Sequence, residues 1–256
     1  MMVAGAFIGM IITLIISTIS KIAITELNPL LTYLLPLIPP FLYIVYKGNE
    51  IAASHPEQIP VPLDKGHFGK MNIVLFLILC VLVQITTGIV TEPLTGWIPM
   101  SETIKKLFEQ IMQNSGWSII TTVIAAPMIE EFFLRGIITR GLLAHQTPAK
   151  AILWSAFFFA LIHFNIWQAI PAFATGVFLG WIYWKTNSLK TCIFIHMTNN
   201  GLASYLYYKF PDIKIDTTTQ ELLTELGANI YPIVYVASIA ILAISIYYLH
   251  KSFEHE

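Results

Sequence analysis

The sequence contains little charge and little cysteine. Only 11% of its 256 residues are charged, and the formal net charge is -1. It has no cluster of Lys or Arg of the kind that binds a phosphate backbone, which excludes a nucleic-acid role. The two cysteines, Cys80 and Cys192, lie in apolar stretches, where a thiol behaves as a small hydrophobic group. A disulfide framework is therefore not expected.

Long apolar runs dominate the chain instead. Hydrophobic residues make up 56% of it and the mean hydropathy is +0.70, values typical of an integral membrane protein. A membrane-spanning helix needs about 20 apolar residues. Windows of this kind lie at about 3–22, 29–46, 71–91, 116–143, 149–165, 167–184, 188–208 and 230–249. We predict an all-α polytopic bundle of about eight transmembrane helices, with residues 1–256 forming a single membrane domain.

The segments between these windows also carry information. Only "HFN" separates the windows at 149–165 and 167–184, which predicts a tight helical hairpin. Residues 101–114 start with Ser101 as a helix N-cap and have apolar residues at helical spacing, which predicts an amphipathic helix on the membrane surface. The polar, proline-rich stretch 48–70 is predicted to be a surface loop.

The distribution of Lys and Arg between the two sides of this bundle predicts its orientation. With eight spans, one side holds eight of these residues and the other holds five. Positively charged residues are enriched in cytoplasmic loops. Both termini are therefore expected to be cytoplasmic.

Ionisable residues occur inside three of the predicted spans, in "EEFFLR", "FALIH" and "HMTNN". A charge at this depth costs at least a few kcal/mol unless it has a partner or faces a water-filled cavity. Glu131 and Arg135 are four residues apart, so they can form an ion pair on one helical face. Glu130 is rotated by about 100° from Glu131. Its charge must be compensated from another helix, and His163 and His196 are the candidates.

These groups suit the activation of water. A carboxylate and a neutral imidazole can share one water as a base, and His196 with Asn200, on one face, could stabilise an oxyanion. No Ser or Cys lies beside a histidine, and the zinc motif H-E-x-x-H is absent. Glu130, His163 and His196 could nevertheless ligate a divalent metal such as zinc, with one position open.

Together the three segments resemble the CPBP family, which comprises the CAAX prenyl endopeptidases and their bacterial Abi and bacteriocin-processing relatives. The family pattern is E-E-x-x-x-R, F-x-x-x-H and H-x-x-x-N. All of its positions are present, in order and on separate spans: Glu130, Glu131, Arg135, Phe159, His163, His196 and Asn200.

The resemblance implies an intramembrane endopeptidase of similar helical fold, with a catalytic core at about 116–208. Glu130 and His163 would activate water, and His196 with Asn200 would hold the oxyanion. Glu131, Arg135 and Phe159 would support the site. The better-understood members imply a reaction without a metal. The substrate would be a membrane-bound peptide, of the prenylated CAAX type or another, and the short tails look like those of a prokaryotic member.

Other interpretations stay open on the sequence alone. The charged residues could be a polar staple between helices, and a non-catalytic scaffold or immunity protein would tolerate their loss. A proton-coupled transporter also uses buried Glu, His and Arg, although such proteins usually show repeat symmetry. The stretch "GVFLG", from Gly176 to Gly180, matches the small-xxx-small pattern and predicts close helix packing.

Overall fold

The computed structural model describes residues 15, 18, 38–54, 64, 66–112, 115–210, 214 and 216–254. Every regular element in these ranges is helical, which confirms the all-α prediction. The predicted window 3–22, apart from residues 15 and 18, and the first part of the window 29–46 lie outside the described residues.

The chain divides into two compact units. The first comprises Met1–Pro62 and Glu109–Ala126, and the second comprises Leu63–Phe108 and Pro127–Glu256. In the first unit, helix Ile38–Ser54 continues through residues 48–54, so the predicted surface loop is wrong over that stretch. Its "EIAAS" contains good helix formers and no proline, which allows the helix to continue.

Apart from Ala126, which belongs to the first unit, six helical segments of the second unit have the following bounds. The Gln84 helix is Ile73–Thr95, and the motif helix runs over 126–143. The short and long hairpin helices are Pro148–Leu161 and Ile166–Thr186. The histidine helix is Leu189–Lys209, and helix Tyr231–Lys251 packs against the Gln84 helix.

Three of the described helices are long and apolar enough to cross a membrane: Ile73–Thr95, Ile166–Thr186 and Tyr231–Lys251. They confirm three of the predicted windows and an integral membrane protein. The histidine helix has a similar length, but His196, Asn199 and Asn200 lower its apolar character. The count of eight spans stays a prediction.

The short hairpin helix is shorter than its predicted window. It ends at Leu161 after 14 residues, which is about 21 Å at 1.5 Å per residue. The chain then turns sharply at Phe164, whose φ of 53° is left-handed. Asn165 caps the long hairpin helix, because its Oδ1 accepts a hydrogen bond from the Gln168 N–H at 2.9 Å. The tight hairpin is therefore confirmed.

The two hairpin helices pack closely because Gly176 has no side chain. A Cβ at this position would lie 2.8 Å from the Ala156 Cα and 3.2 Å from the Phe159 Cδ1. Gly180 also faces the short hairpin helix, with its nearest contact at the Ile152 Cγ2. The predicted close packing at "GVFLG" is confirmed, and it holds Phe159 in a fixed position.

Two apolar clusters stabilise the second unit. The larger joins four helices through fully buried side chains that include Phe76, Cys80, Leu179, Ile195 and Leu249. The smaller lies directly under the charged residues and consists of Leu134, Phe159 and Ala172. The charged side chains of the motif helix therefore lie next to a close-packed apolar cluster.

The predicted amphipathic helix is present as Glu102–Met112. The Ser101 hydroxyl accepts a hydrogen bond from the Ile104 N–H at 3.4 Å, as expected for an N-cap. The Lys105 ammonium lies 2.8 Å from an Asp216 carboxylate oxygen, so this helix is tied by an ion pair to the segment before helix Thr219–Glu225.

Candidate functional site

The motif helix changes its hydrogen-bonding pattern where the charged residues lie. It is α-helical over Ala126–Glu131, π-helical over Phe132–Thr139 and α-helical again over Arg140–Leu143. π-helical turns are rare and occur frequently at functional sites. The extra residue per turn lets the Thr139 hydroxyl donate to the Leu134 carbonyl, five residues earlier, at 2.8 Å.

The predicted ion pair between Glu131 and Arg135 is present and completely buried. Arg135 Nη1 donates to Glu131 Oε1 at 2.8 Å, and both side chains have 0% exposure. Arg135 Nη2 also donates to the Gly176 carbonyl at 3.0 Å, and the guanidinium lies 5.1 Å from the centre of the Phe159 ring. These contacts hold the guanidinium against both hairpin helices.

His196 lies between the two glutamates. Its Nδ1 is 2.9 Å from Glu131 Oε1, and its Nε2 is 3.7 Å from Glu130 Oε2. Glu130 and Glu131 leave their helix in different directions, and the imidazole fills the space between their carboxylates. One of the two histidines expected to compensate Glu130 therefore reaches it.

His163 joins the group through an aromatic contact. Its ring lies 5.1 Å from the Phe159 ring, which in turn lies 5.4 Å from the His196 ring, both edge to face. His163 Nδ1 is 2.7 Å from the Phe159 carbonyl oxygen. Because a carbonyl only accepts hydrogen bonds, this nitrogen carries the proton, and the neutral ring presents Nε2 as its acceptor.

Asn200 lies one turn after His196 and on the same face of the histidine helix. Its Oδ1 accepts a hydrogen bond from Asn199 Nδ2 at 3.3 Å. The structure therefore gathers Glu130, Glu131, Arg135, Phe159 and His196 by direct contact. His163 is added through Phe159, and Asn200 by its position on the helix.

The alternative metal set was tested against these positions. In the described ranges, no three His, Cys, Asp or Glu side chains are grouped so that they could hold a metal ion. The His196 Nδ1 is directed at the Glu131 carboxylate, which leaves Nε2, on the Glu130 side, as its available ligand atom. In the described part of the chain His163 is therefore not grouped with Glu130 and His196 as a set of three metal ligands.

A cavity of about 710 Å³ lies away from this cluster, beside the end of the Gln84 helix. Its walls include Glu92, Trp97, Glu225 and Tyr231. The Glu92 carboxylate accepts from the backbone N–H of Gln220 at 3.3 Å. The walls contain acids and aromatic rings but none of the motif residues, so the candidate site is the cluster at Glu130.

The sequence did not point to two further polar contacts near the site. The Gly176 carbonyl anchors Arg135, and the preceding Thr175 hydroxyl donates to Gln84 Oε1 at 3.1 Å. Gln84 is 3% exposed. Its signal was present as a single amide in the apolar run "LFLILCVLVQI". A carbonyl acceptor has no sequence signal, because every residue has one.

Comparisons with known proteins agree with this cluster. Residues 112–202 match the family model described as type II CAAX prenyl endopeptidase Rce1-like, and this range contains all seven motif residues. No curated protein and no solved structure matches the chain. Over residues 112–202, where the structure brings the motif residues together, the chain is therefore similar to the CPBP family of intramembrane proteases.

Proposed function

We propose that the protein is an intramembrane endopeptidase that hydrolyses a peptide bond of a membrane-associated substrate with water activated by Glu130. The observation that carries the proposal is the position of the His196 imidazole, with one nitrogen 2.9 Å from Glu131 and the other 3.7 Å from Glu130. A purely structural ion pair needs only Glu131 and Arg135. Placing a second acid and an imidazole at this depth costs additional free energy, and a catalytic role accounts for their presence.

The charges support a base at this position. Two carboxylates and one guanidinium leave one negative charge when His196 is neutral. A proton taken from water by Glu130 brings this group to neutrality, which is favourable where the dielectric is low. The Glu130 side chain keeps 18% exposure, as the access of a water molecule requires, whereas Glu131 has none.

The proposed reaction has two steps. Glu130, with His163 Nε2 as a second acceptor, takes a proton from water while the water oxygen attacks the carbonyl carbon of the substrate. The carbonyl oxygen becomes an oxyanion, which Asn200 stabilises through its amide N–H and which His196 stabilises through Nε2–H when its ring is protonated. The carbon–nitrogen bond then breaks, and the proton held by Glu130 passes to the leaving amine. The products are a carboxylic acid and an amine.

The substrate is expected to be bound to the membrane, since the catalytic core at about 116–208 lies among apolar helices. A prenylated CAAX-type peptide is the first substrate to test, because the matching family model is named for that activity. We also propose that both termini are cytoplasmic and that the protein is a prokaryotic member of the family. An epitope-accessibility assay at each terminus tests the orientation.

The test of function is cleavage of lipid-anchored peptides by the purified protein in liposomes. Glu130→Gln keeps the shape of the side chain and removes the base, so turnover should fall by about 100-fold or more. The matched control is Glu225→Gln, which removes a carboxylate from the cavity wall and should leave turnover unchanged. Equal turnover of wild type and Glu130→Gln would overturn the proposal. Proton uptake by the liposomes would then support a transporter, and no change in either assay would support a scaffold.

A further inference from the structure

We propose that Glu131 is a positioning residue for His196: it fixes the imidazole with Nδ1–H facing the carboxylate and Nε2 facing Glu130. This inference rests on the proposed function, because it concerns the same site. The sequence gives Glu131 only one partner, Arg135. The structure adds the second contact, from His196 Nδ1 to the same carboxylate oxygen.

The contact determines which nitrogen of His196 carries the proton. Glu131 is paired with an arginine, which is always charged in proteins, so its carboxylate is ionised and can only accept hydrogen bonds. At 2.9 Å from Glu131 Oε1, His196 Nδ1 must therefore be the donor. The neutral ring then has its lone pair on Nε2, which is the nitrogen on the Glu130 side.

The carboxylate can perform this task because it cannot move. Arg135 holds it at 2.8 Å, and Arg135 is itself held by the Gly176 carbonyl at 3.0 Å. The Phe159 ring lies against both the guanidinium and the imidazole, which restricts rotation of His196. A carboxylate that orients an imidazole and stabilises its charged form is a known device in hydrolases.

The arrangement also carries a cost that a purely structural ion pair would avoid. Within the described ranges, the second oxygen of Glu131 and the Nε of Arg135 are buried and have no hydrogen-bond partner. An end-on pair through a single oxygen leaves these atoms unpaired, whereas a two-bond pair would satisfy both. The single shared oxygen is instead the one that His196 contacts, so the pair is arranged around the imidazole.

The distance from Nε2 to Glu130 indicates how the oriented ring acts. At 3.7 Å these two atoms are too far apart for a direct hydrogen bond. Both can accept a hydrogen bond from one water placed between them, whereas a substrate oxyanion requires Nε2 to be protonated, in the charged form of the ring that Glu131 stabilises. Glu131 lies on the other side of the ring and is fully buried, so it acts through His196 and not on the substrate.

The experiment combines kinetics with nitrogen NMR of histidine-labelled protein, in which His196 is identified by its absence in His196→Gln. The wild type should show His196 with Nδ1 protonated. Glu131→Gln keeps an oxygen acceptor, so the tautomer should persist. It removes the negative charge that stabilises the charged form of the ring, so kcat should fall by about 10–100-fold. Glu131→Leu removes the acceptor, so the two tautomers should mix and kcat should fall further, with KM changed by less than about threefold.

Controls separate positioning from stability. Thr139→Val removes another fully buried polar group from the motif helix, one that bonds to Leu134 and Ser155 and not to His196, and it should leave kcat and the tautomer unchanged. Glu131→Leu leaves the buried Arg135 charge without a partner, which destabilises the fold. The double variant Glu131→Leu, Arg135→Met removes both charges together and should show the same mixed tautomers.

Two outcomes would overturn the inference: an unchanged His196 tautomer in the folded double variant, or a wild type with Nε2 protonated and Nδ1 bare. The NMR result does not depend on cleavage. If the wild type cleaves no peptide but shows the predicted tautomer, the proposed function fails and the positioning stands. If it cleaves but the tautomer does not respond to Glu131, the positioning alone fails.

Discussion

Gly176 offers the sharpest test of how packing supports the site. A Cβ added there would lie 2.8 Å from the Ala156 Cα, 3.0 Å from the Ala156 Cβ and 3.2 Å from the Phe159 Cδ1. Carbon atoms prefer a separation of about 3.5–4.0 Å, so Gly176→Ala must push the hairpin helices apart by about 1 Å. The closest atom is backbone, which cannot rotate away. Overpacking of this kind costs about 1–3 kcal/mol of the free energy of unfolding.

The displacement should also reach the site. Phe159 is one of the two residues that must move, and its ring contacts both His163 and His196. The Gly176 carbonyl is in addition the anchor of Arg135. We therefore expect Gly176→Ala to lower kcat by about tenfold or more, since small misplacements of catalytic groups are costly. Unfolding of the purified protein in mixed micelles with increasing SDS measures the stability, and peptide cleavage measures kcat.

Two other glycines make this a graded series. At Gly180 the nearest atom is a side-chain methyl of Ile152 at 3.2 Å, which can shift, so Gly180→Ala should cost less than Gly176→Ala. At Gly88 no atom of the described residues lies within 4 Å of the added Cβ, so Gly88→Ala should be neutral or stabilising by up to about 1 kcal/mol. A Gly176→Ala protein as stable and as active as Gly88→Ala would refute the reasoning.

Three further predictions concern an ion pair, the metal dependence of cleavage and a buried amide. The hydrogen bond between Lys105 and Asp216 lowers the pKa of Asp216 and raises the pKa of Lys105. Its contribution should therefore be constant from about pH 5 to pH 9 and be lost as the pH falls through the Asp216 pKa or rises through the Lys105 pKa. Hydrogen exchange of residues 216–225 should show this, and Lys105→Met should abolish it. Peptide cleavage should survive dialysis against a strong chelator; activity lost there and restored by zinc would contradict the metal-free site. The Gln84 Nε2 is buried without a partner in the described part of the chain, so Gln84→Leu with Thr175→Val should be as stable as the wild type in SDS titration. A loss above about 2 kcal/mol would show that the amide has a stabilising partner.

Spacing within one helix was enough to predict the ion pair of Glu131 and Arg135. Residues four apart on a helix face are neighbours whatever surrounds them. The motif positions likewise predicted which side chains would be gathered, and Glu130 does reach His196. The turn at "HFN" could also be predicted, because too few residues separate the two apolar windows for any other connection.

Contacts between helices could not be predicted in this way. The bond from His196 to Glu131 joins residues that are 65 positions apart on different helices, and no spacing rule relates them. The π-helical turns of the motif helix were missed because a pattern of apolar residues is read with a period of 3.6 residues. The end of the short hairpin helix at Leu161 was missed because "IHF" contains no Gly or Pro that would mark a helix end.

The π-helical segment Phe132–Thr139 places a constraint on how this chain can change in evolution. Deleting one residue there would restore ordinary α-helical bonding locally, yet it would rotate Glu130 and Glu131 by about 100° relative to Thr139 and the turns that follow. Both sides of the segment have partners on neighbouring helices, His196 on one and Ser155 on the other. Arg135, inside the segment, has partners as well. A change in the length of the segment would therefore turn Glu130 and Glu131 away from their partners even if every side chain were kept.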